Sequence, residues 1–329
     1  MEGQAVKLAR RNFLRLAAGA AALPAVSRFA WAQAYPSRPV RILVGFPASA
    51  TPDLVARLVG QTLSERLGQP VVIENRPGAA GNIATEAVVR ATPDGYTLLL
   101  ANGANAISAT LYEKLSFDFM RDIAPVASIG SAALVLVTNP SFPAKTVPEF
   151  IAYAKAHPAQ INVASVGVGA STPFLACELF KAMTGVDLVH VPYRSSYMPD
   201  LITGQVQAAF PVIPSSLEYI RTGKVRALAV TSATHLEVLP GLPTIDEFVP
   251  GYEASSWFGV GAPKGTSTKI IEKLNREIDT IVADPNMRAR LVALGLQPMS
   301  LRSAEFGQFI AAQIDKWAKV IKSANIKPE

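Results

Sequence analysis

One local pattern, repeated along the chain, most constrains how it can fold: a short run of Val, Leu and Ile, a loop of small residues, then an amphipathic stretch with its own start and stop signals. Val40–Val44, Val71–Ile73, Thr97–Leu100, Leu134–Val137, Ile161–Ala164, Val189–Val191 and Leu228–Val230 read as buried strands. Between the first two lies a helix, Asp53–Leu67, with Leu54, Val55, Leu58, Val59, Leu63 and Leu67 on one face and Gly68 as its stop. Thr51 is placed to cap it, and Pro52 suits the first helical position. Thr146 and Glu149 have the spacing of a capping box before a helix that ends near His157 and Pro158. Strand, helix and strand in this alternation predict α/β architecture, with parallel sheets covered by helices on both faces.

The last third is more helical, with Thr268–Val282, Asn286–Leu294 and Ala304–Ile321. A strand-like segment, Ser256–Val260, stands between Gly251 and Pro263. If residues 126–137 and 252–261 are the two crossings, the chain makes a two-lobed clamp in which the C-terminal helices return to the first lobe. The expected boundaries are residues 35–135 with 256–329 for lobe 1, and 136–255 for lobe 2. A clamp of this kind places a small-molecule cleft between its lobes and closes by a hinge.

The N-terminus fixes the compartment. Arg10 and Arg11 precede Phe13 and Leu14, an apolar stretch runs from Leu16 to Val26, and Ala30, Ala32 and Ala34 form two overlapping Ala-x-Ala sites. This order is that of an export signal, with paired arginines resembling the twin-arginine type, and residues 1–34 are expected to be removed near Ala32 or Ala34. The apolar stretch is shorter than the roughly 20 residues a spanning helix needs. Residues 1–34 hold five basic residues and one acid, so of the formal net charge of +6 only +2 stays with the remaining chain. No Lys/Arg cluster interleaved with aromatics points to nucleic acid. The single cysteine, Cys177, excludes an internal disulfide and reads as a small apolar helix residue. Roughly 295 residues must therefore cohere by core burial, a length that fits two domains.

Open α/β sheets bind ligands at the carboxyl ends of their strands. The loops there are Phe46-Pro47-Ala48-Ser49-Ala50-Thr51, then Asn75 to Asn82 with Gly81, then Asn102-Gly103-Ala104-Asn105. In the second lobe Ser165-Val166-Gly167-Val168-Gly169-Ala170-Ser171-Thr172 repeats the arrangement ahead of a helix from about Pro173. Free amides at helix N-termini suit an anion, and two such loops facing each other suit the two ends of a dicarboxylate. The same small polar loops also cap helices with no ligand at all. Tyr193, Ser195 and Phe210 are further wall candidates; Tyr193, like Phe46 and Trp257, reads equally well as core or hinge packing.

Signals for catalysis are weaker. No nucleophile elbow, phosphate loop or zinc pair is present, and no cofactor or metal is expected. Gly167-Val168-Gly169 begins a dinucleotide fingerprint, but Thr172 stands where its third glycine belongs. His157, His190 and His235 have no metal spacing, and His190 in its apolar strand reads as structural. Asp53 can be an acid or base in the cleft, but charge complementarity at a helix N-terminus explains it with less.

An ordered series of motifs then carries a resemblance: Tyr35-Pro36-Ser37-Arg38-Pro39-Val40, Asn75-Arg76-Pro77-Gly78, Pro93-Asp94-Gly95-Tyr96-Thr97-Leu98-Leu99, Val189-His190-Val191-Pro192-Tyr193 and Arg226-Ala227-Leu228-Ala229-Val230-Thr231-Ser232. Over essentially the whole mature chain it resembles the Bug family, the substrate-binding receptors of tripartite tricarboxylate transporters. The resemblance implies a type II periplasmic-binding-protein fold and a periplasmic, monomeric, non-enzymatic receptor. It also implies a small organic carboxylate as ligand, an inner-membrane permease as partner, and carboxylate contacts from the loop after the first strand of each lobe.

Four departures bear on specificity. Where the family usually has two glycines after Phe-Pro, Ser49 and Ala50 narrow the approach. Phe174 stands where His is frequent. Arg194-Ser195-Ser196-Tyr197-Met198-Pro199 replaces a Lys-Gly segment before Asp200-Leu201. Phe210-Pro211 replaces Phe-Asp, which removes an acid that would partner a ligand amine. A carboxylate without an amine, with an apolar or aromatic body, is therefore expected. Two other functions share these features: a periplasmic sensor for a membrane kinase, and a secreted hydrolase built on Ser165 or Ser171, for which the sequence shows no positioned base.

Overall fold

The computed structural model describes residues 35–112, 114–166, 170–193, 195–323 and 326. The export signal expected over residues 1–34 lies outside them. The first sheet begins with β1 (Val40–Val44), and α1 (Thr51–Leu67) leads back to β2 (Val71–Asn75). A 3-10 turn, Ala79–Gly81, then enters α2 (Asn82–Val89), followed by β3 (Thr97–Asn102), α3 (Gly103–Leu111), the short α4 (Phe119–Asp122) and the long β4 (Ile123–Ala133). The chain continues through β5 (Val135–Thr138), α5 (Val147–Ala156), β6 (Asn162–Val166), α6 (Thr172–Thr184), β7 (Val189–Tyr193), α7 (Met198–Thr203), β8 (Ala208–Ala209), α8 (Ile213–Arg221) and β9 (Arg226–Val230). It returns along β10 (Ser255–Pro263) to α9 (Thr268–Ala283), α10 (Pro285–Ala293), β11 (Leu296–Pro298) and α11 (Ser303–Ser323).

Two sheets result, in the orders β11-β4-β10-β3-β1-β2 and β7-β6-β8-β5-β9. Each is mixed where purely parallel sheets were expected. β1 runs parallel to β2 and β3, and β6 parallel to β7 and β8, as strand-helix-strand units must. β10 is antiparallel to β3 and β4, and β5 to β8 and β9. β10 and β5 each enter a sheet from the other one, so no crossover helix sets their direction, and the short β11 also runs antiparallel to β4 at the edge of the first sheet.

The passage from β4 to β5 is interrupted only at Leu134, and the return passes through Ala254. Thr231, fully buried, ties the two passages together. Its hydroxyl accepts from Leu134 N–H at 2.8 Å and donates to the Ala254 carbonyl at 2.5 Å. Its backbone N–H donates to Leu134 O, and Ala254 N–H donates to Thr231 O.

The helix start signals are corrected in one detail. α1 takes Ala50 as its N-cap, Thr51 is its first residue, and no side chain caps it. Asp53 instead reaches back to the Ser49 N–H at 2.9 Å, which occupies the acceptor role one turn into the helix. At α5 the Thr146 hydroxyl accepts from Glu149 N–H, while the Glu149 carboxylate accepts from Lys145 N–H. Gly68 ends α1 at φ 67° and Gly185 ends α6 at φ 70°, left-handed positions that suit glycine.

The C-terminal helix does more than return to the first sheet. Phe306 and Ile310 of α11 join the core that includes Leu43, Leu99 and Trp257. Trp317, Val320 and Ile321 of the same helix join the core of Phe150, Phe180 and Phe210 beside the second sheet. Opposite that core, Val135, Leu201, Ile213 and Val230 pack the other face of the second sheet.

Candidate functional site

The loops after β1 and β2 form one interlocked structure. Gly45 and Gly81 touch backbone to backbone, and a Cβ on Gly45 would lie 2.5 Å from Gly81 Cα. The ring of Phe46 lies against Gly81, and the Phe46 carbonyl accepts from Asn75 Nδ2 at 3.0 Å. Asn75 Nδ2 also donates to Asp53 Oδ1 at 2.9 Å. Asp53 accepts from Arg57 Nε at 3.0 Å as well as from Ser49 N–H. Burial pushes the Asp53 carboxyl up, but donation from Arg57, Ser49 and Asn75 outweighs that, and the group sits below its ordinary value. All its close acceptor capacity serves the loop, so Asp53 shapes the site and is no acid or base within it.

Backbone strain gathers here. Of the four non-glycine residues with positive φ among the described residues, Ser49 (69°), Ala79 (46°) and Ala80 (53°) lie in these two loops. Residues are held in such conformations where surrounding contacts over-determine them, a condition common at ligand sites. Ala48 and Ser49 are exposed, Ala50 is half-buried and Thr51 is buried.

The third loop is built by its asparagines. Asn102 Oδ1 accepts from Ala104 N–H and Asn105 Oδ1 from Asn102 N–H. Asn105 Nδ2 donates to Thr85 Oγ1, whose hydroxyl donates to the Gly81 carbonyl. Asn102 and Asn105 thus fix the start of α3 against the second loop. Asn82 is buried, and its Oδ1 has no hydrogen-bond partner among the described residues.

The second sheet brings Ala170, Ser171 and Thr172, all buried, to the start of α6, where Ser171 Oγ accepts from Phe174 N–H. Gly167 and Gly169 lie outside the described residues. Thr172 faces Gly103 directly, and a Cβ on Gly103 would stand 2.8 Å from Thr172 Oγ1 and 3.6 Å from Ser256 Oγ. The N-termini of α3 and α6 therefore meet. The groove of about 830 Å³ lined by Ile220, Val225, Arg226, Val238 and Leu242 lies elsewhere, along edge strand β9.

Three residues stand differently from their sequence reading. Ser165 Oγ lies 2.7 Å from His190 Nε2, a partner 25 residues away that the sequence did not reveal. Phe174 packs beside the imidazole, ring centroids 4.6 Å apart, with Ser165 2% exposed and His190 partly exposed. Phe210 is fully buried, its ring 5.8 Å from Phe180, and serves the core instead of a pocket wall. Tyr193 donates to Asp200 Oδ2 at 2.6 Å; this bond, with burial, pushes its phenol up to about 12 and keeps it a donor. Ser195 is exposed. Burial pushes the Cys177 thiol up to about 12, which makes it unreactive. Among the described residues no cluster of His, Cys, Asp or Glu is placed to hold a metal, and no helix is long and apolar enough to cross a membrane.

Two mixed sheets joined by stitched crossing strands, with helix N-termini and small-residue loops converging between them, define a solute-binding protein of the periplasmic type. The chain belongs to the TctC family, described as the tripartite tricarboxylate transporter family receptor, whose pattern matches residues 55–326. It is 38% identical over 301 residues to Protein BugT of Bordetella pertussis, covering 90% of this chain and 92% of that one. Among solved structures, it is similar to an R. palustris protein with adipate (36% identity, TM-score 0.85, 90% of this chain and 100% of that one). It is also similar to MatC from Rhodopseudomonas palustris with bound malate (31% identity, TM-score 0.80, 87% and 100%). A third similar structure is the periplasmic binding protein BugD (31% identity, TM-score 0.82, 90% of this chain and 100% of that one).

Proposed function

We propose that this protein is exported, binds a small carboxylate between its two sheets and delivers it as a monomer to the inner-membrane permease of a tripartite tricarboxylate transporter. The observation that carries the reading is the convergence of Gly103 and Thr172, which brings two helix N-termini to one place. Amides and positive dipole ends there favour an anion. The neighbours holding adipate and malate support the ligand class. Residues 35–135 with 256–329, and 136–255, serve as the two lobes, and the Thr231 stitch between Leu134 and Ala254 is the hinge. The leader over residues 1–34 supplies the route to the periplasm.

A ligand without an amine is favoured. The acids beside the candidate loops, Asp53 and Asp200, are committed to Ser49, Asn75 and Arg57, and to Tyr193. An ammonium group entering the site would find no uncommitted carboxylate on either residue. Ser49 and Phe174 narrow the site in favour of an apolar or aromatic body.

Uptake of labelled carboxylates by cells with and without this chain tests the assignment. Uptake that falls to background without the protein, and returns with it, is the expected result. A ligand response that persists in cells lacking the permease would instead assign the protein to signalling.

A further inference from the structure

The indole of Trp257 is 1% exposed, and its Nε1–H has no hydrogen-bond partner among the described residues. A buried donor without an acceptor is costly and calls for an explanation. Its position supplies one. Trp257 lies on β10, in the strand pair that links the sheets, with Phe306 and Phe309 edge-on to its ring at 5.7 and 5.9 Å. Those contacts fix the ring so that Nε1 lies 3.8 Å from where a Gly103 Cβ would be, at the first residue of the nine-residue helix α3. Thr172 Oγ1 and Ser256 Oγ border the same point, at 2.8 and 3.6 Å. The corner is tight, and a side chain at position 103 would press on Thr172.

We infer that Trp257 Nε1–H and the N-terminus of α3 form an acceptor subsite, in which one oxygen of the bound acid takes the indole hydrogen. The inference rests on the carboxylate-receptor reading and adds to it a specific donor on the crossing strand, outside the four small-residue loops. The indole N–H only donates, so the subsite selects carboxylate, carbonyl or ether oxygen and rejects ammonium. Trp317 makes a useful contrast. Its Nε1 also has no partner among the described residues, but its ring is fully buried in the apolar core beside the second sheet.

The test is a titration of the full chain, ¹⁵N-labelled at tryptophan, with a panel of mono-, di- and tricarboxylates and aromatic acids. The chain has three tryptophans, Trp31, Trp257 and Trp317, and W257F assigns the signal of interest. The expected result is a downfield shift of the Trp257 indole proton with the bound acid, no shift for Trp317, and about tenfold weaker binding by W257F. W317F changes stability without changing affinity. An acid that binds while the Trp257 signal stays still, with W257F binding equally well, overturns the subsite and leaves the receptor reading standing. If no acid in the panel binds the wild-type chain, both fall together.

Discussion

The carboxylate of Asp53 accepts the backbone N–H of Ser49 at 2.9 Å and thereby holds a residue other than glycine at φ 69°. This conformation costs about 1 kcal/mol for a residue with a Cβ, and the hydrogen bond offsets it. Ser49→Gly is expected to raise the Tm by about 2 °C in a thermal scan. If the Ser49 side chain narrows the site, the same variant accepts bulkier acids. A lower Tm would show that the loop is not strained at this position.

Acid should loosen the same loop. Asp53 sits below its ordinary value, so it contributes stability that is fully present above the unfolded value near 4 and is lost as pH falls through its folded value. Stability is therefore expected to decline below about pH 4, and less steeply in Asp53→Asn. Asp53→Ala leaves the Ser49 N–H without its acceptor and should cost about 2 kcal/mol in urea unfolding. Identical acid profiles for wild type and Asp53→Asn would contradict the account.

Gly103→Ala places a methyl group 2.8 Å from Thr172 Oγ1. The clash exists only while the start of α3 meets the start of α6, so closure should suffer more than folding. The expected outcome is binding weakened at least tenfold, about 1.4 kcal/mol, with a small change in unliganded Tm. Calorimetry on both proteins checks it, and equal affinity would argue against closure at this contact.

Thr231→Val removes the hydroxyl that bridges the two crossing passages while keeping its shape. Leu134 N–H and Ala254 O then lose a buried partner, and a loss of about 2 kcal/mol is expected. Small-angle scattering should also show a wider spread of interlobe openings than in wild type. Unchanged stability and unchanged scattering would remove Thr231 from the hinge.

Much of this architecture is legible locally. β1, α1 and β2 fall where apolar runs, Pro52 and Gly68 put them, because strand and helix periodicity and a left-handed stop are properties of neighbouring residues. The parts that escape depend on distant partners. Nothing near Ser165 announces His190, and nothing near Phe210 announces Phe180, because only the assembled sheet and its covering helices bring them together. Asn102 and Asn105 show the same limit, since their composition suits a ligand loop as well as it suits the capping they perform. The mixed strand directions follow from long-range pairings that local periodicity does not encode. Trp257 was visible as an aromatic between Gly251 and Pro263, but its unpartnered N–H exists only in the folded corner at Gly103.

The central claim, capture of a carboxylate that bears no amine, is tested most directly by thermal unfolding in the presence of mono-, di- and tricarboxylates, aromatic acids and amino acids. A ligand that binds only the folded chain raises the Tm by mass action, about 2.7 kcal/mol at a hundred times its Kd. A clear rise is expected with one class of amine-free acid and none with glutamate or aspartate. A rise with those amino acids that exceeds the rise with every plain acid would contradict it.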